Sequence, residues 1–409
     1  MLALGEAQRA VLDVVEPLPR VTCDLAESHG LALAEDVVAP HDVPPFANSA
    51  MDGFAVLATD VARTPVDLEI IEDVAAGNVA AKAVTAGSAV RIMTGAPMPA
   101  GADTVVPVED SETDGSTVRL LAGRPSGANV RAAGGDLRAG DLVMEAGTRI
   151  DATKLAVLAS LGISPTVRRR PVVAIFSTGD ELRSPQTRDL EPGAIRDSNR
   201  PLIHQLLLEL GCDVQDLGIV PDDAQALRGT LEHGFPEADL IVSSGGVSMG
   251  DRDLVRQVIG DIGSVDLWKV AVKPGKPFAF GRVAGRPFFG LPGNPVSVFV
   301  SFEQFVRPAI LTMLGARLVF RVRTQGQAME RLDGDPVRVT FARVAVGSED
   351  GGGFVVRSAG GQGSNILTAL SRADAFAVIP PGADVGAGER VELEMFRWPE
   401  GRSREEASV

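Results

Sequence analysis

Residues 171–246 contain, in order, PVVAIFS (171–177), NRPLIHQLLLELG (199–211), DVQDLGIV (213–220), AQALRGTLEHG (224–234) and ADLIVSSGG (238–246). Three short apolar runs, typical of buried strands, alternate here with two segments of helical length and periodicity. Such alternation indicates βαβ units, in which parallel strands are joined by helices that cover the sheet. A further helix is predicted from RDLVRQVIGDIG. The sequence therefore predicts an open α/β domain.

Working outward, three more domains are predicted, and the α/β domain spans residues 171–320. Residues 46–136 break into short strand-like runs separated by Gly, Pro or Asp every 8 to 12 residues, which is typical of an all-β module. The flanking stretches 1–45 and 137–170 contain short helical and extended segments, so the β module is predicted to be inserted into an N-terminal domain. Short strands and turns return over 321–409, which predicts a C-terminal β domain.

The composition limits the classes of function. The chain has 409 residues, is 45% hydrophobic and carries a net charge of −15. A globular state is expected, and non-specific nucleic-acid binding is disfavoured because it requires a basic face. Two cysteines, Cys23 and Cys212, provide neither a disulfide framework nor a thiolate metal cage. The N-terminus lacks the pattern of a signal peptide and no membrane span is predicted, so we expect a cytoplasmic protein with a small-molecule partner.

The predicted sheet places polar residues at the carboxyl ends of its strands, where open α/β sheets bind ligands. The run Ser243, Ser244, Gly245 and Gly246, followed by Ser248, predicts a cradle in which backbone amides approach a phosphate. A tight strand-to-helix turn is the alternative. Neither the Rossmann nor the P-loop fingerprint is present.

Acidic residues follow the same strands. Glu181, Asp222 and Asp253 come after successive strand ends, next to the predicted phosphate cradle. Because Mg²⁺ takes one or two carboxylates and bridges them to phosphate oxygens, these three are candidate metal ligands. Any one of them alone could instead be a helix cap. The four histidines lack the spacing of a zinc site, which disfavours zinc catalysis.

Positive charge is concentrated in one segment. Only five lysines occur, and Lys269, Lys273 and Lys276 fall within eight residues of WKVAVKPGKPFAFGR, which contains no acid. The segment could be a solvated strand face. The apolar residues between the lysines and the Pro-Gly pair favour a cationic pocket for an anion.

Four loops outside these strands have unusual compositions. PPFANSAMDGFAV contains Asp52, RIMTGAPMPAGADTVVPVED contains Thr94, GANVRAAGGDLRAGD contains Arg131 and Asp136, and GGQGSNILTALS contains Ser364. Each alone could be a network of turns.

Taken together with IFSTGDEL, SSGGVSMGDRD, KVAVKPGKPFAFG and GLPGNPVSVFV, these loops resemble the MoeA-type molybdopterin molybdenumtransferases, a family that includes the E domain of gephyrin. The resemblance runs in the same order over nearly the whole chain. It implies a homodimer of four-domain subunits with an elongated N-terminal domain. It also implies an active site between the α/β domain of one subunit and the β module of the other.

The activity that the resemblance implies is insertion of molybdate into adenylylated molybdopterin, with Mg²⁺-dependent cleavage of the phosphoanhydride and release of AMP. Dithiolene sulfurs of the substrate would bind the molybdenum, so no cysteine ligand is needed. By motif correspondence, the family's catalytic positions fall on Asp52, Thr94, Asp136, Glu181, Asp222, Asp253, Lys269 and Lys273. Substrate-binding positions fall on Arg131, the loop from Pro292 to Pro295, Lys276, Pro277, Ser297, Arg338 and Ser364. Phe54 stands where a tyrosine is common.

Two other functions stay open. A molybdopterin adenylyltransferase would resemble the α/β domain alone, and a pterin-binding or scaffold protein would release no AMP. A contact with the adenylyltransferase that supplies the substrate is a further expectation.

Overall fold

The computed structural model describes residues 1–233, 237–245, 258, 263–348 and 353–398. The chain divides into two compact units. Unit 1 consists of Met1–Glu35, Ala146–Leu155 and Pro165–Val409, and unit 2 consists of Asp36–Glu145 and Ala156–Ser164.

The described secondary structure is as follows. The first strands are β1 (Arg20–Thr22), β2 (Val37–Val38), β3 (Asn48–Ser49), β4 (Gly53–Val56), β5 (Val66–Val74), β6 (Ser88–Ile92), β7 (Thr104–Pro107), β8 (Ser111–Thr113), β9 (Thr117–Leu120), β10 (Val130–Arg131), β11 (Leu142–Met144) and β12 (Thr166–Arg168). The central strands are β13 (Val172–Thr178), β14 (Leu182–Arg183), β15 (Ile195–Arg196), β16 (Asp213–Val220), β17 (Leu240–Ser244), β18 (Gly263–Lys269), β19 (Val272–Lys273), β20 (Pro277–Val283) and β21 (Arg286–Leu291). The last strands are β22 (Arg323–Ala328), β23 (Val339–Ser348), β24 (Phe354–Ser358), β25 (Ala375–Ile379) and β26 (Arg390–Met395). The helices are α1 (Leu4–Leu12), α2 (Leu25–Ser28), α3 (Ala152–Leu161), α4 (Asn199–Glu209), α5 (Ala224–His233), α6 (Pro295–Met313) and α7 (Leu367–Ser371), with a 3-10 turn over Val108–Asp110.

Unit 1 contains a six-stranded sheet in the order β16-β13-β17-β21-β20-β18. Strands β16, β13, β17 and β21 are parallel, as the alternation of strands and helices predicts, whereas β20 is antiparallel to both neighbours. The apolar strands β13 and β17 lie in the middle and are almost entirely buried. The predicted open α/β sheet is confirmed, with one strand reversed. The helix predicted from RDLVRQVIGDIG lies almost wholly outside the described residues.

Helix α6 passes through the core of unit 1. Asn294 precedes it and Pro295 occupies its first turn, where the missing N–H costs nothing. By length and composition the helix could cross a membrane, but 89% of its most apolar window is buried inside the protein, as in a core helix. A π-helical stretch over Phe302–Val306 interrupts it.

The π-helical stretch buries two polar side chains. Glu303 forms a bidentate ion pair with Arg321, at 2.8 and 3.1 Å. Gln304 accepts a hydrogen bond of 3.0 Å from Gln8 of α1 and donates one to the buried carboxylate of Glu394 in β26. Burial raises the pKa of Glu394. Because each partner is satisfied, the buried polar pair is tolerated.

The last part of unit 1 is a closed β barrel. Its strands follow the order β19-β23-β24-β22-β26-β25, and an additional pairing of β23 with β25 closes the sheet. Alternate side chains from these strands form its apolar core, including Val344, Ala377 and Leu393. The predicted C-terminal β domain is confirmed. Strand β19, which belongs to the lysine-rich segment, joins the barrel by pairing with β23.

Unit 2 is built on a separate six-stranded sheet in the order β7-β4-β6-β5-β9-β8. Phe54 and Val106 pack on one face of it, and Val90 and Val105 on the other. This sheet is the predicted inserted β module. The residue limits predicted for the four domains stay predictions.

Candidate active site

The sheet of unit 1 has a crossing point between β13 and β17. From β13 the chain goes to β16 on one side, and from β17 it goes to β18 at the opposite edge. The two strands are paired in register up to Ser177 and Ser244, so their carboxyl ends lie side by side. Loops that leave neighbouring strands in opposite directions open a crevice, which is where doubly wound sheets bind ligands.

Gly245 makes the tight end of β17 possible. Its φ is +85°, and a Cβ there would lie 2.4 Å from the carbonyl oxygen of Thr178. Its N–H donates to the carbonyl of Leu291, at 3.2 Å, which ties β17 to the end of β21. Only glycine therefore allows the two strand ends to approach.

The serines before Gly245 are less open than a phosphate cradle requires. Ser243 and Ser244 are buried within β17, and the hydroxyl of Ser243 has no hydrogen-bond partner in the described part of the chain. The other predicted members, Gly246 and Ser248, lie outside the described residues, as does Asp253. The cradle stays a prediction.

The two adjacent acids after β16 have different roles. Asp223 caps α5, because its Oδ1 accepts from the N–H groups of Gln225 at 3.0 Å and Ala226 at 2.8 Å. Asp222 caps no helix. It accepts a hydrogen bond from the Thr178 hydroxyl at the end of β13 and donates its own N–H to Asp180, at 3.2 Å. The structure therefore excludes the interpretation of Asp222 as a helix cap, and its interpretation as a metal ligand stays a prediction.

Glu181 lies on the loop that follows β13. A Cβ on Gly179 would lie 2.8 Å from its Oε2, so the carboxylate folds back over a residue without a side chain. The described residues contain no group of three or more His, Cys, Asp or Glu able to hold a metal. One or two carboxylates on touching loops fit Mg²⁺, which takes its remaining ligands from water and substrate phosphates.

The lysine segment turns tightly against α6. Gly275 has a φ of +112°, and a Cβ there would lie 3.2 Å from the Ser301 hydroxyl and 3.7 Å from the Ser297 carbonyl. The turn between Lys273 and Pro277 therefore packs on the first turns of α6. This brings the predicted Lys276 and Pro277 close to the predicted Ser297, which is buried.

The three lysines have different environments. Lys269 and Lys276 are exposed, and their side chains make no hydrogen bond or ion pair within the described residues. Lys273 is half-buried and donates to the Gly334 carbonyl at 3.3 Å, with Asp335 4.0 Å away. Two ammonium groups are thus available to an anion and one is anchored to the barrel.

The loop from Pro292 to Pro295 joins the sheet to the barrel. Asn294 donates to the Ser364 hydroxyl at 3.0 Å, and the N–H of Val296 donates to the Ser364 carbonyl at 3.1 Å. On the other side, Asn199 at the start of α4 donates to the Gly293 carbonyl at 2.6 Å. The structure therefore brings Ser364 to the predicted loop, although the two are about 70 residues apart.

Arg338 is occupied by a neighbouring acid. Its guanidinium donates to Asp335 at 2.6 Å, and this hydrogen bond holds the pKa of Asp335 well below its usual range. Asp335 also faces Lys273. Arg338 consequently has less free charge for a substrate anion than the sequence suggests.

Arg343 is a candidate that sequence reasoning missed. It is 1% exposed and donates to the carbonyls of Gly361 and Gly363, at 3.0 and 3.2 Å, while its Nε has no partner in the described part of the chain. Burial lowers its pKa to about 10, so it stays protonated at neutral pH. Arg343 shares a face of β23 with the buried Phe341, opposite the face of Val344 that forms the barrel core, and no signal in the sequence alone marked it.

Arg343 lines a cavity of about 420 Å³. Lys273 lines the same cavity, and so does Thr340, whose buried hydroxyl has no partner among the described residues. Glu330 and Asp333 also line the cavity, but no ion pair joins Arg343 to a described carboxylate. Because an unpaired buried cation is costly, an anion that enters the cavity would supply the missing partner.

Three of the four predicted site residues in unit 2 lie on neighbouring segments. Asp52 Oδ1 accepts from both the N–H and the hydroxyl of Thr94, at 2.7 Å each, and these bonds lower the pKa of Asp52. Arg131 is paired with Asn48, on the strand that leads into the Asp52 loop. Asp136 lies elsewhere, with its N–H donating to the carbonyl of Val43 at 2.9 Å.

Three family models match the chain in order. The “MoeA N-terminal region (domain I and II)” matches residues 2–162, the “Probable molybdopterin binding domain” matches 174–312, and the “MoeA C-terminal region (domain IV)” matches 325–396.

Relatives match over almost their full length. The molybdopterin molybdenumtransferase of Haemophilus influenzae is 37% identical, covering 97% of this chain and 99% of the relative. Molybdopterin molybdenumtransferase 2 of Mycobacterium tuberculosis is 35% identical, covering 96% and 99%. The crystal structure of the molybdopterin biosynthesis MoeA protein from Pyrococcus horikoshii OT3 superposes with a TM-score of 0.80 at 29% identity, covering 97% and 100%. The chain therefore belongs to the MoeA family.

Proposed function

We propose that this chain is a molybdopterin molybdenumtransferase, which inserts molybdate into adenylylated molybdopterin and releases AMP. One observation carries the proposal. The segment from Leu291 to Ser297 contacts the crevice of the sheet through Gly245 and the lysine turn through Gly275. This supports a proposed cationic site for an oxyanion and a proposed acidic site beside the crevice that share one continuous segment.

We assign the basic residues to the binding of molybdate and the acidic residues to the binding of Mg²⁺. Lys276 and Lys269 would neutralise molybdate as point charges, and buried Arg343 would offer it a directional donor. Asp222, oriented by Thr178, and Glu181 would hold Mg²⁺. When bound, the metal neutralises charge on the phosphoanhydride. Positioning and electrostatics then account for most of the catalysis, as is usual in phosphoryl transfer.

The environments of the two cysteines suggest that neither thiol binds molybdenum and that the sulfur ligands belong to the substrate. Burial raises the pKa of Cys212 to about 12, and burial together with Glu27 and Asp24 raises that of Cys23. Neither thiol is therefore a ready thiolate near neutral pH. This fits a reaction in which dithiolene sulfurs of the pterin receive the metal.

The resemblance also suggests a cofactor, an oligomeric state and a protein partner. We propose Mg²⁺ as cofactor, a cytoplasmic homodimer in which Asp52, Thr94 and Arg131 of a second subunit complete the site, and a contact with the adenylyltransferase that supplies the substrate. The adenylyltransferase activity itself is disfavoured, because the match extends over all three regions of the family. A pterin-binding or scaffold protein would bind the substrate without releasing AMP.

Replacement of Lys276 by alanine tests the oxyanion site. AMP release from adenylylated molybdopterin, with Mg²⁺ and molybdate present, is measured for both proteins. We expect Lys276→Ala to lower molybdate-dependent turnover roughly tenfold or more, the cost of one charged hydrogen bond, with little change in pterin affinity. Lys82→Ala, a lysine of unit 2, is the matched control. Equal loss of turnover and pterin binding would refute this role, and no AMP release by the unaltered protein would refute the function.

The acid pair after β16 offers a matched test of metal binding. Asp222→Asn keeps a hydrogen-bond acceptor for Thr178 but removes the charge, so we expect the Mg²⁺ concentration for half-maximal AMP release to rise about tenfold or more. Asp223→Asn removes the same charge one residue away and keeps the cap of α5. Identical Mg²⁺ titrations for the two variants would exclude Asp222 as a ligand.

A further inference from the structure

A cavity of about 930 Å³ in unit 1 contains none of the residues assigned above. Its floor is formed by two extended segments joined by hydrogen bonds, from Gly30 N to Ile150 O at 2.8 Å and from Ile150 N to Leu31 O at 2.9 Å. The end of α4 forms one wall and residues 316–318 form the other.

Two arginines on this cavity have only carbonyl partners. Arg149 donates through Nε to the Gly30 carbonyl at 3.2 Å, and its two terminal amino groups make no hydrogen bond within the described residues. Arg170 donates to the carbonyls of Gly211 at 2.8 Å and Glu27 at 3.1 Å. Neither guanidinium is paired with a described carboxylate.

Both guanidinium groups converge on a pair of glycines. Gly30 and Gly211 have φ values of +83° and +85°. A Cβ on Gly211 would lie 3.4 Å from Nη1 of Arg170 and 3.9 Å from the Gly30 carbonyl, and a Cβ on Gly30 would lie 4.0 Å from Nη2 of Arg149. Bare backbone therefore leaves room between the two cations.

The rest of the lining adds apolar surface and charges of both signs, including the carboxylate of Glu209. Lys154 is paired with Asp151, so these two charges cancel. Burial and the nearby charge of Arg321 lower the pKa of Arg149. Leu208 and Leu318 line the cavity and are 46% and 81% exposed. Large exposed leucines beside cations suit a ligand that is anionic at one end and apolar at the other.

We propose that this cavity is a second anion site, which binds an organic phosphate of about the size of a nucleoside monophosphate. The phosphate lies against Arg149 and Arg170, because planar guanidinium groups bind phosphate oxygens in a directional, bidentate way. The apolar body lies against Leu208 and Leu318. A volume of about 930 Å³ is in the range of small organic ligands and exceeds what a bare oxyanion fills.

Calorimetric titration of the full-length protein with AMP tests the proposal. Leu208→Glu puts a negative charge on the cavity wall without removing a hydrogen bond, and we expect it to weaken one AMP-binding event by at least about tenfold. Arg149→Gln is expected to weaken the same event and to leave AMP release by the enzyme unchanged. Leu121→Glu is the control, because Leu121 is an equally exposed leucine of unit 2, at 45%.

The outcomes are distinct from those of the proposed active site. An AMP-binding event lost in Lys276→Ala but kept in Leu208→Glu belongs to the active site, and finding only that event overturns the proposal. Titration curves of Leu208→Glu and Arg149→Gln that match the unaltered protein also overturn it. Inorganic phosphate that binds the cavity as tightly as AMP overturns the assignment to an organic phosphate.

Discussion

Arg343→Met is expected to raise the molybdate concentration for half-maximal AMP release by roughly 100-fold. The residue is buried and its Nε has no partner in the described part of the chain, so we expect this donor to bind the oxyanion. A hydrogen bond to a charged group contributes about 1.5–3 kcal/mol, and one such bond at the upper end of this range accounts for the expected change. The measurement is the molybdate dependence of AMP release at saturating pterin and Mg²⁺.

Two companion variants separate charge from geometry. Arg343→Lys keeps the charge but loses the planar fork, and we expect an intermediate rise in the molybdate concentration for half-maximal AMP release. Arg338→Met removes an arginine that Asp335 already occupies, so its effect on molybdate dependence is expected to be smaller. If Arg338→Met impaired molybdate dependence more than Arg343→Met, the assignment would have to be reversed.

Gly245→Ala is expected to destabilise the crossing point of the sheet and to abolish activity. The positive φ costs an alanine about 1–2 kcal/mol. The Cβ would in addition lie 2.4 Å from the backbone oxygen of Thr178, a residue that pairing with Val220 of β16 holds in place. We expect a total loss of roughly 4 kcal/mol or more in the free energy of unfolding, followed by urea denaturation.

Gly193→Ala is the matched control for this variant. Gly193 has a φ of +90°, but a Cβ there would meet nothing within 4 Å. It therefore measures the cost of the backbone conformation alone. Equal stability losses in the two variants would show that the close approach of Thr178 and Gly245 contributes nothing.

The sequence was sufficient for the α/β sheet because strong local patterns encode it. Apolar runs of strand length and amphipathic helices ending in glycine leave few alternatives over 171–246. The closure of the barrel was not predictable in the same way, since β23 and β25 pair through contacts between distant segments. The reversed direction of β20 follows from the two-residue turn Ala284–Gly285, both at positive φ, which joins it to β21 as a hairpin.

Sequence reasoning located the site better than it assigned individual residues. The acid pair after β16 was visible as a pattern, but only the hydrogen bonds distinguish Asp223 as a cap from Asp222. Arg338 and Arg343 lie on the same stretch of chain, and the structure distinguishes them by burial and by the ion pair of Arg338 with Asp335. Burial of a charged residue is set by long-range packing, so no local signal could rank the two arginines.

The buried residues Glu303 and Gln304 on the π-helical stretch limit where such a protein can be cut into separate domains. Gln304 connects Gln8 to Glu394, and Glu303 holds Arg321 in the segment that leads into the barrel. Cutting the chain before that segment would leave the buried Glu303 with Arg307 alone, 3.8 Å away, and would remove the carboxylate that accepts from Gln304. The barrel is accordingly not an interchangeable module, and recombination with a homologue would have to exchange the helix and the barrel as one piece.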